Sequence, residues 1–151
     1  DLYGQAIVPL KAGISNSRFY EILVRIHDKD LILPAAFIPA AERYHLMPAI
    51  DRWVVSTAFA LLQKYYDRVA RWSGTAPAHF AINLSGQSLG DDKFLEFVVT
   101  QLLRTGIDPT RICFEITETA AIANLNRARQ FMARLLLAIH EAVALVSQLG
   151  E

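Results

Sequence analysis

Residues 19–26, Phe-Tyr-Glu-Ile-Leu-Val-Arg-Ile, alternate in a way that is typical of a β-strand with two different faces. Successive side chains of a strand point to opposite sides of its sheet. The members of one side are all apolar: Tyr20, Ile22, Val24 and Ile26. The other side contains two opposite charges, Glu21 and Arg25. We therefore expect the apolar side to pack against helices and the charged side to face a functional interior.

Two later segments divide in the same way. In residues 79–84, Asn83 lies on the side opposite the apolar residues, and in residues 111–117 Glu115 does so. Three predicted strands therefore aim Glu21, Asn83 and Glu115 at one interior. Buried charges without partners are costly, so their shared position indicates a site.

Predicted strands and helices alternate along the chain. The strands are Tyr3 to Leu10, Phe19 to Ile26, His79 to Leu84 and Arg111 to Thr117. The helices are Pro34 to Tyr44, Met47 to Trp72, Leu89 to Arg104, ending at Gly106, and about Asn124 to Leu149. This order predicts an α/β fold with a parallel sheet built from strand-helix units.

Composition limits the classes of protein. A chain of 151 residues, 53% hydrophobic, suits one globular domain. Fifteen basic and fifteen acidic residues cancel, which argues against a nucleic-acid polymer or an anionic membrane as partner. The single cysteine, Cys113, excludes an internal disulfide and favours the cytoplasm. No apolar run is long enough to span a bilayer, although a membrane anchor elsewhere in a parent protein stays open.

Two carboxylates and one amide oxygen are hard ligands that suit Mg²⁺ or Mn²⁺. Arg25 follows Glu21 by four residues on the same side, where its guanidinium could bind a phosphate. Simpler interpretations remain open: Glu and Arg could pair with each other, and Asn83 could serve a local turn. Glu118 could be a helix N-terminal acid, and Cys113 is expected to pack in the core.

Five segments resemble, in order, the EAL domain family of bacterial cyclic di-GMP phosphodiesterases. They are residues 2–10 (Leu-Tyr-Gly-Gln-Ala-Ile-Val-Pro-Leu), 20–25 (Tyr-Glu-Ile-Leu-Val-Arg), 37–42 (Phe-Ile-Pro-Ala-Ala-Glu), 83–89 (Asn-Leu-Ser-Gly-Gln-Ser-Leu) and 114–119 (Phe-Glu-Ile-Thr-Glu-Thr). The second has Ile22 where the family has alanine. Each motif is short, but five in order are specific.

The resemblance implies roles for particular residues. Glu21, Asn83 and Glu115 would be metal ligands for Mg²⁺ or Mn²⁺, with Glu21 also catalytic. Arg25 and Gln5 would contact the dinucleotide, and Glu118, grouped with Glu21 as a catalytic residue, would organise a loop of the active site.

The resemblance also implies a partial (β/α) barrel of the TIM type, with about four strand-helix units and a C-terminal helix. The family's Asp-Asp-Phe-Gly segment and its later lysine have no counterpart here. We interpret residues 1–151 as one incomplete domain: 1–134 form half a barrel, and 135–151 resemble a helix from beyond a missing segment. Half a barrel exposes sheet edges, so a homodimer is expected.

Two functions follow from the resemblance. The first is metal-dependent hydrolysis of cyclic di-GMP to linear pGpG, with the 151-residue chain alone nearly inactive. The second is a degenerate domain that acts as a receptor for cyclic di-GMP or as a protein-interaction module. The retained ligand triad favours the first, and the missing segment favours the second.

Overall fold

A mixed sheet with helices against one face forms the core of the computed structural model, which describes residues 1–10, 17–72, 78–116 and 125–149. Its strands are β1 (Leu2–Ile7), β2 (Arg18–Val24), β3 (Ile26–His27), β4 (Leu31–Ile32), β5 (Ala78–Leu84) and β6 (Ile112–Ile116). Its helices are α1 (Pro34–Arg43), α2 (Met47–Trp72), α3 (Asp92–Thr105) and α4 (Leu125–Leu149). The α/β class predicted from the sequence is confirmed.

The main sheet has the strand order β1-β2-β5-β6. Strands β2, β5 and β6 are parallel, as predicted, and helices separate them along the chain. The prediction is wrong for β1, which pairs with β2 in antiparallel orientation. Only residues 8–17 separate β1 from β2, and a parallel pair needs a crossover of roughly a dozen or more residues.

The predicted apolar side of the strands forms the core. Ile82 of β5 is fully buried against Phe59 of α2 and Phe94 of α3, within one apolar cluster that also includes Phe131 of α4. Tyr20 and Phe80 are partners in the register of β2 and β5, and their rings stack with centroids 5.7 Å apart. The described helices therefore lie against one face of the sheet, and none of them covers the other face.

Helix α3 begins three residues later than predicted. The carboxylate of Asp91 caps it by accepting a hydrogen bond from the backbone N–H of Lys93 over 3.0 Å. Residues Ser88–Gly90, expected to be helical in part, form a separate 3₁₀ turn. The predicted end is confirmed, because Gly106 adopts a left-handed conformation with φ of 65°.

Two features complete the fold. Strands β3 and β4 form a small antiparallel pair between β2 and α1, which the sequence did not predict. Helix α4 runs without interruption across the boundary proposed at residues 134 and 135, and the origin of its second half stays a prediction. None of the helices in the four described ranges has both the length and the apolarity of a membrane span.

Candidate active site

The free face of the sheet brings the predicted ligands together. Glu21 on β2 is the register partner of Gln5 on β1, and Asn83 on β5 is the register partner of Glu115 on β6. Register partners point to the same face, and neighbouring strands lie roughly 4.8 Å apart. Since Glu21 aligns with Ala81, two residues before Asn83, all four polar side chains share one face.

One hydrogen bond links two of the predicted ligands directly. The side-chain amide of Asn83 donates from Nδ2 to Oε1 of Glu21 over 2.8 Å. This contact places the donor end of Asn83 against β2, and no described residue donates to its acceptor oxygen, Oδ1. Asn83 therefore connects two strands and does more than complete a local turn.

This face is more open to solvent than the sequence suggested. Glu21 and Glu115 are half-buried, and Asn83 is exposed. The prediction that Cys113 packs in the core is wrong, because its side chain is exposed. Cys113 lies two residues before Glu115 on the same strand and so shares the polar face. The described strands form an open sheet, which does not enclose this face as a closed barrel would.

Arg25 follows directly after β2 and is half-buried. Its Nη1 donates to the backbone carbonyl of Val24 over 2.8 Å, which uses one of the five guanidinium donors. Among the described residues, Arg25 and Glu21 do not form the ion pair that was the simpler alternative. Glu118 lies outside the described residues.

A cavity of about 250 Å³ adjoins Asn83 at the carboxyl ends of β2 and β5. Its walls come from these strands and from α1 and α2, and most of them are apolar. Polar residues interrupt the apolar lining: Asn83, Ser85, Glu42 and Asp51. Such a lining is typical of pockets that hold small organic ligands.

A buried carboxylate below the site was not found by sequence reasoning. Asp51, on α2, is 3% exposed and accepts three hydrogen bonds on Oδ2. Burial raises the pKa of the Asp51 carboxyl above its ordinary value, and the bonds from Ser85 and Ser88 oppose that shift. The two serines in the 83–89 motif could have indicated such a residue, since a hydroxyl that becomes buried needs a hydrogen-bond partner.

The three predicted metal ligands on the polar face would each bind a cation through oxygen. Within the parts of the chain that the structure describes, no three Cys, His, Asp or Glu side chains gather around one point. A cation on this face would therefore need the amide oxygen of Asn83 beside the carboxylates of Glu21 and Glu115. Hard oxygen donors of this kind fit a small divalent ion such as Mg²⁺ or Mn²⁺.

The family model described as "EAL domain" matches residues 3–145, and the chain belongs to that family. The resemblance seen in the five motifs is thereby confirmed.

Two proteins named as cyclic di-GMP phosphodiesterases are similar to most of the chain. The chain is 38% identical over 136 residues to the cyclic di-GMP phosphodiesterase PdeB of Shewanella oneidensis, covering 89% of the chain and 15% of PdeB. It is 31% identical over 120 residues to the cyclic di-GMP phosphodiesterase PdeF of Escherichia coli, covering 78% of the chain and 15% of PdeF.

The solved FimX EAL domain from Pseudomonas aeruginosa, bound to c-di-GMP, matches with a TM-score of 0.75 and 26% identity. The match covers 92% of the chain and 52% of the FimX structure. The chain thus spans about half of a solved EAL domain and a small part of the curated relatives.

Proposed function

We propose that this domain hydrolyses one phosphodiester bond of cyclic di-GMP in its natural full-length protein. The observation that supports this most directly is the shared polar face, on which Asn83 is hydrogen-bonded to Glu21 and aligned with Glu115. Relatives named as cyclic di-GMP phosphodiesterases match most of the chain, and the polar face agrees with that chemistry.

Glu21, Asn83 and Glu115 would hold Mg²⁺ or Mn²⁺. When bound, such an ion supplies Lewis acidity and an activated water for phosphodiester hydrolysis. The contribution of the chain is to keep three oxygen donors on neighbouring strands of a rigid sheet, where they need little reorganisation. The hydrogen bond from Asn83 also restrains the Glu21 carboxylate through Oε1.

The remaining proposed roles concern the dinucleotide. Arg25 would donate to a phosphate, and Gln5, exposed opposite Glu21, would contact the ligand beside it. The mostly apolar cavity next to Asn83 would accept part of the dinucleotide. Glu118, assigned by resemblance alone, would organise a loop near the site.

The proposed reaction adds one water across one phosphodiester bond. The water oxygen bonds to phosphorus, the bond from phosphorus to the ribose 3′ oxygen breaks, and that oxygen takes up a proton. The product is linear pGpG. Arg25 would bind negative charge on the phosphate while this exchange takes place.

The test is turnover of cyclic di-GMP with Mg²⁺ or Mn²⁺ by the natural full-length protein, its Glu21→Ala variant and the 151-residue chain. Equilibrium binding is measured on the same samples. Glu96→Gln serves as the control, because Glu96 is exposed on α3 outside the polar face. We expect turnover by the full-length protein and the control, loss in Glu21→Ala and little activity in the chain alone.

The same samples distinguish the alternative function. Binding of cyclic di-GMP by the full-length protein without turnover would identify a receptor and overturn the proposed hydrolysis. Turnover that persists in Glu21→Ala would overturn the assignment of Glu21. If the full-length protein neither binds nor hydrolyses cyclic di-GMP, both the hydrolysis and the receptor function are excluded.

We also propose that the protein is cytoplasmic and forms a homodimer. Among the described strands, β1 and β6 each pair on one side only. Beside β6, Met132 and Leu136 of α4 are exposed at the border of an apolar groove of about 370 Å³. In a homodimer with twofold symmetry, this apolar surface would pack against the same surface of a second copy. Sedimentation of the protein and of Leu136→Lys tests this, with a monomeric variant as the expected result.

A further inference from the structure

Two consecutive residues of α2, Asp51 and Arg52, contact the connection between β5 and α3. Asp51 accepts hydrogen bonds from the backbone N–H of Ser85 at 3.0 Å, the hydroxyl of Ser85 at 2.6 Å and the hydroxyl of Ser88 at 2.6 Å. Arg52 forms an ion pair with Asp91 at 3.0 Å. Both ends of the connection are thus fixed to one helix.

The Asp51 contacts lie close to a proposed metal ligand in the chain. Ser85 is the first residue after β5, and Asn83 is the second-to-last residue of that strand. Ser88 is fully buried and Asp51 nearly so, so the bond between them is shielded from competing water, whereas the two bonds from Ser85 are partly buried. Their geometry therefore determines where the chain leaves the sheet, immediately beyond Asn83.

We propose that Asp51 is a positioning residue for the metal-binding amide of Asn83, an inference that rests on the proposed function. By holding Ser85 and Ser88, Asp51 fixes the end of β5, so that Asn83 remains against Glu21 with its oxygen free. In this proposal Asp51 acts through Ser85 and Ser88, although it also lines the cavity beside Asn83. Supporting groups of this kind typically change metal affinity by about 10- to 100-fold when they are removed.

The hydrogen-bond pattern predicts how the variants rank. Asp51→Ala removes the acceptor of all three bonds and should have the largest effect. Asp51→Asn keeps an acceptor oxygen of the same shape and should restore part of the affinity. Ser88→Ala removes one bond and leaves both bonds from Ser85, so its effect should be smaller than that of Asp51→Ala.

The test measures Mn²⁺ binding itself, by the electron paramagnetic resonance signal of free Mn²⁺ titrated with the natural full-length protein. The half-saturating Mn²⁺ concentration for cyclic di-GMP turnover is recorded in parallel. Val55→Ala is the matched control, because Val55 is fully buried on α2 but is not part of the Asp51 contacts. It reports what a general loss of stability does to metal binding.

We expect Asp51→Ala to weaken Mn²⁺ binding by about tenfold or more. The Mn²⁺ affinities of Asp51→Asn and Ser88→Ala should lie between those of Asp51→Ala and the unmodified protein. Val55→Ala should bind Mn²⁺ as the unmodified protein does. Should Asp51→Ala fail to fold, Asp51→Asn and Ser88→Ala decide the question. Unchanged binding in the folded variants, or equal weakening in Val55→Ala, would overturn the positioning role. Failure of the unmodified protein to bind Mn²⁺ or turn over cyclic di-GMP would instead overturn the proposed function.

Discussion

Asn83 donates a hydrogen bond from its side-chain amide to the carboxylate of Glu21, 2.8 Å away on the neighbouring strand. The contact joins residues that are 62 positions apart in the chain. The pairing of β2 with β5 thus brings two of the three proposed metal ligands within hydrogen-bonding distance of each other.

Replacing Asn83 by aspartate tests this arrangement. An ionised carboxylate cannot donate to Glu21, and the two negative charges repel each other, so we expect a loss of about 1 kcal/mol in the free energy of unfolding without metal. Mn²⁺ should raise the unfolding midpoint of Asn83→Asp more than that of the unmodified protein. Thermal unfolding with and without Mn²⁺ measures both effects.

Asn83→Ala is the control, since it removes the donor without adding a charge and should gain nothing from Mn²⁺. A variant Asn83→Asp that is as stable as the unmodified protein in metal-free buffer would contradict the prediction.

Arg25 is predicted to act in binding. Arg25→Ala should raise KM for cyclic di-GMP by about tenfold, the effect of losing roughly 1.4 kcal/mol of phosphate binding, with a smaller change in kcat. Arg25→Lys should recover only part of the affinity, because an ammonium lacks the planar pair of donors. Initial rates over a range of substrate concentrations separate KM from kcat. Arg104→Ala, on the exposed side of α3, is the control, and an unchanged KM in Arg25→Ala would exclude the role.

The junction of α3 and α4 with the sheet should dominate stability. Phe94 is fully buried, and its ring lies 6.2 Å from that of Phe97 and 6.1 Å from that of Phe131. Phe94→Ala should lower the free energy of unfolding by about 3–5 kcal/mol, measured in urea, because it leaves a cavity among these rings. Leu103→Ala, at an exposed position of the same helix, should change it by less than about 0.5 kcal/mol. Similar losses in the two variants would contradict this view of the core.

The turn before β6 should make stability depend on acid pH. Hydrogen bonds from Thr110, at 2.7 Å and 2.9 Å, lower the pKa of the Asp108 carboxyl below its ordinary value of 3.8. A lowered pKa in the folded state means that Asp108 stabilises the fold above its unfolded-state pKa. That stabilisation disappears as the pH falls through the folded-state pKa.

The comparison is between the protein and Asp108→Ala in urea at several pH values. The difference in unfolding free energy should be full near neutral pH and shrink below about pH 3.8. Thr110→Val, which removes the hydroxyl donor but keeps the backbone donor, should show part of the same effect. A difference that stays constant down to strongly acid pH would argue against the lowered pKa.

Local patterns in the sequence determined the strands, the helices and the polar face. Alternation in residues 19–26 and 79–84 predicted which side of each strand is apolar, and the structure buries Tyr20 and Ile82 accordingly. Such patterns are reliable because a strand turns successive side chains to opposite faces whatever surrounds it. The five ordered motifs added the family, which the match over residues 3–145 confirmed.

Tertiary structure decided what depends on distant partners. The bonds of Asp51 to Ser85 and Ser88 join residues 34 and 37 positions apart in the chain, and the exposure of Cys113 depends on what covers its strand. The apolar periodicity of one segment does not show which other strand or helix that segment will pack against. The sequence thus predicted which residues share the polar face, and only the packing of α2 against the end of β5 brought Asp51 to Ser85 and Ser88.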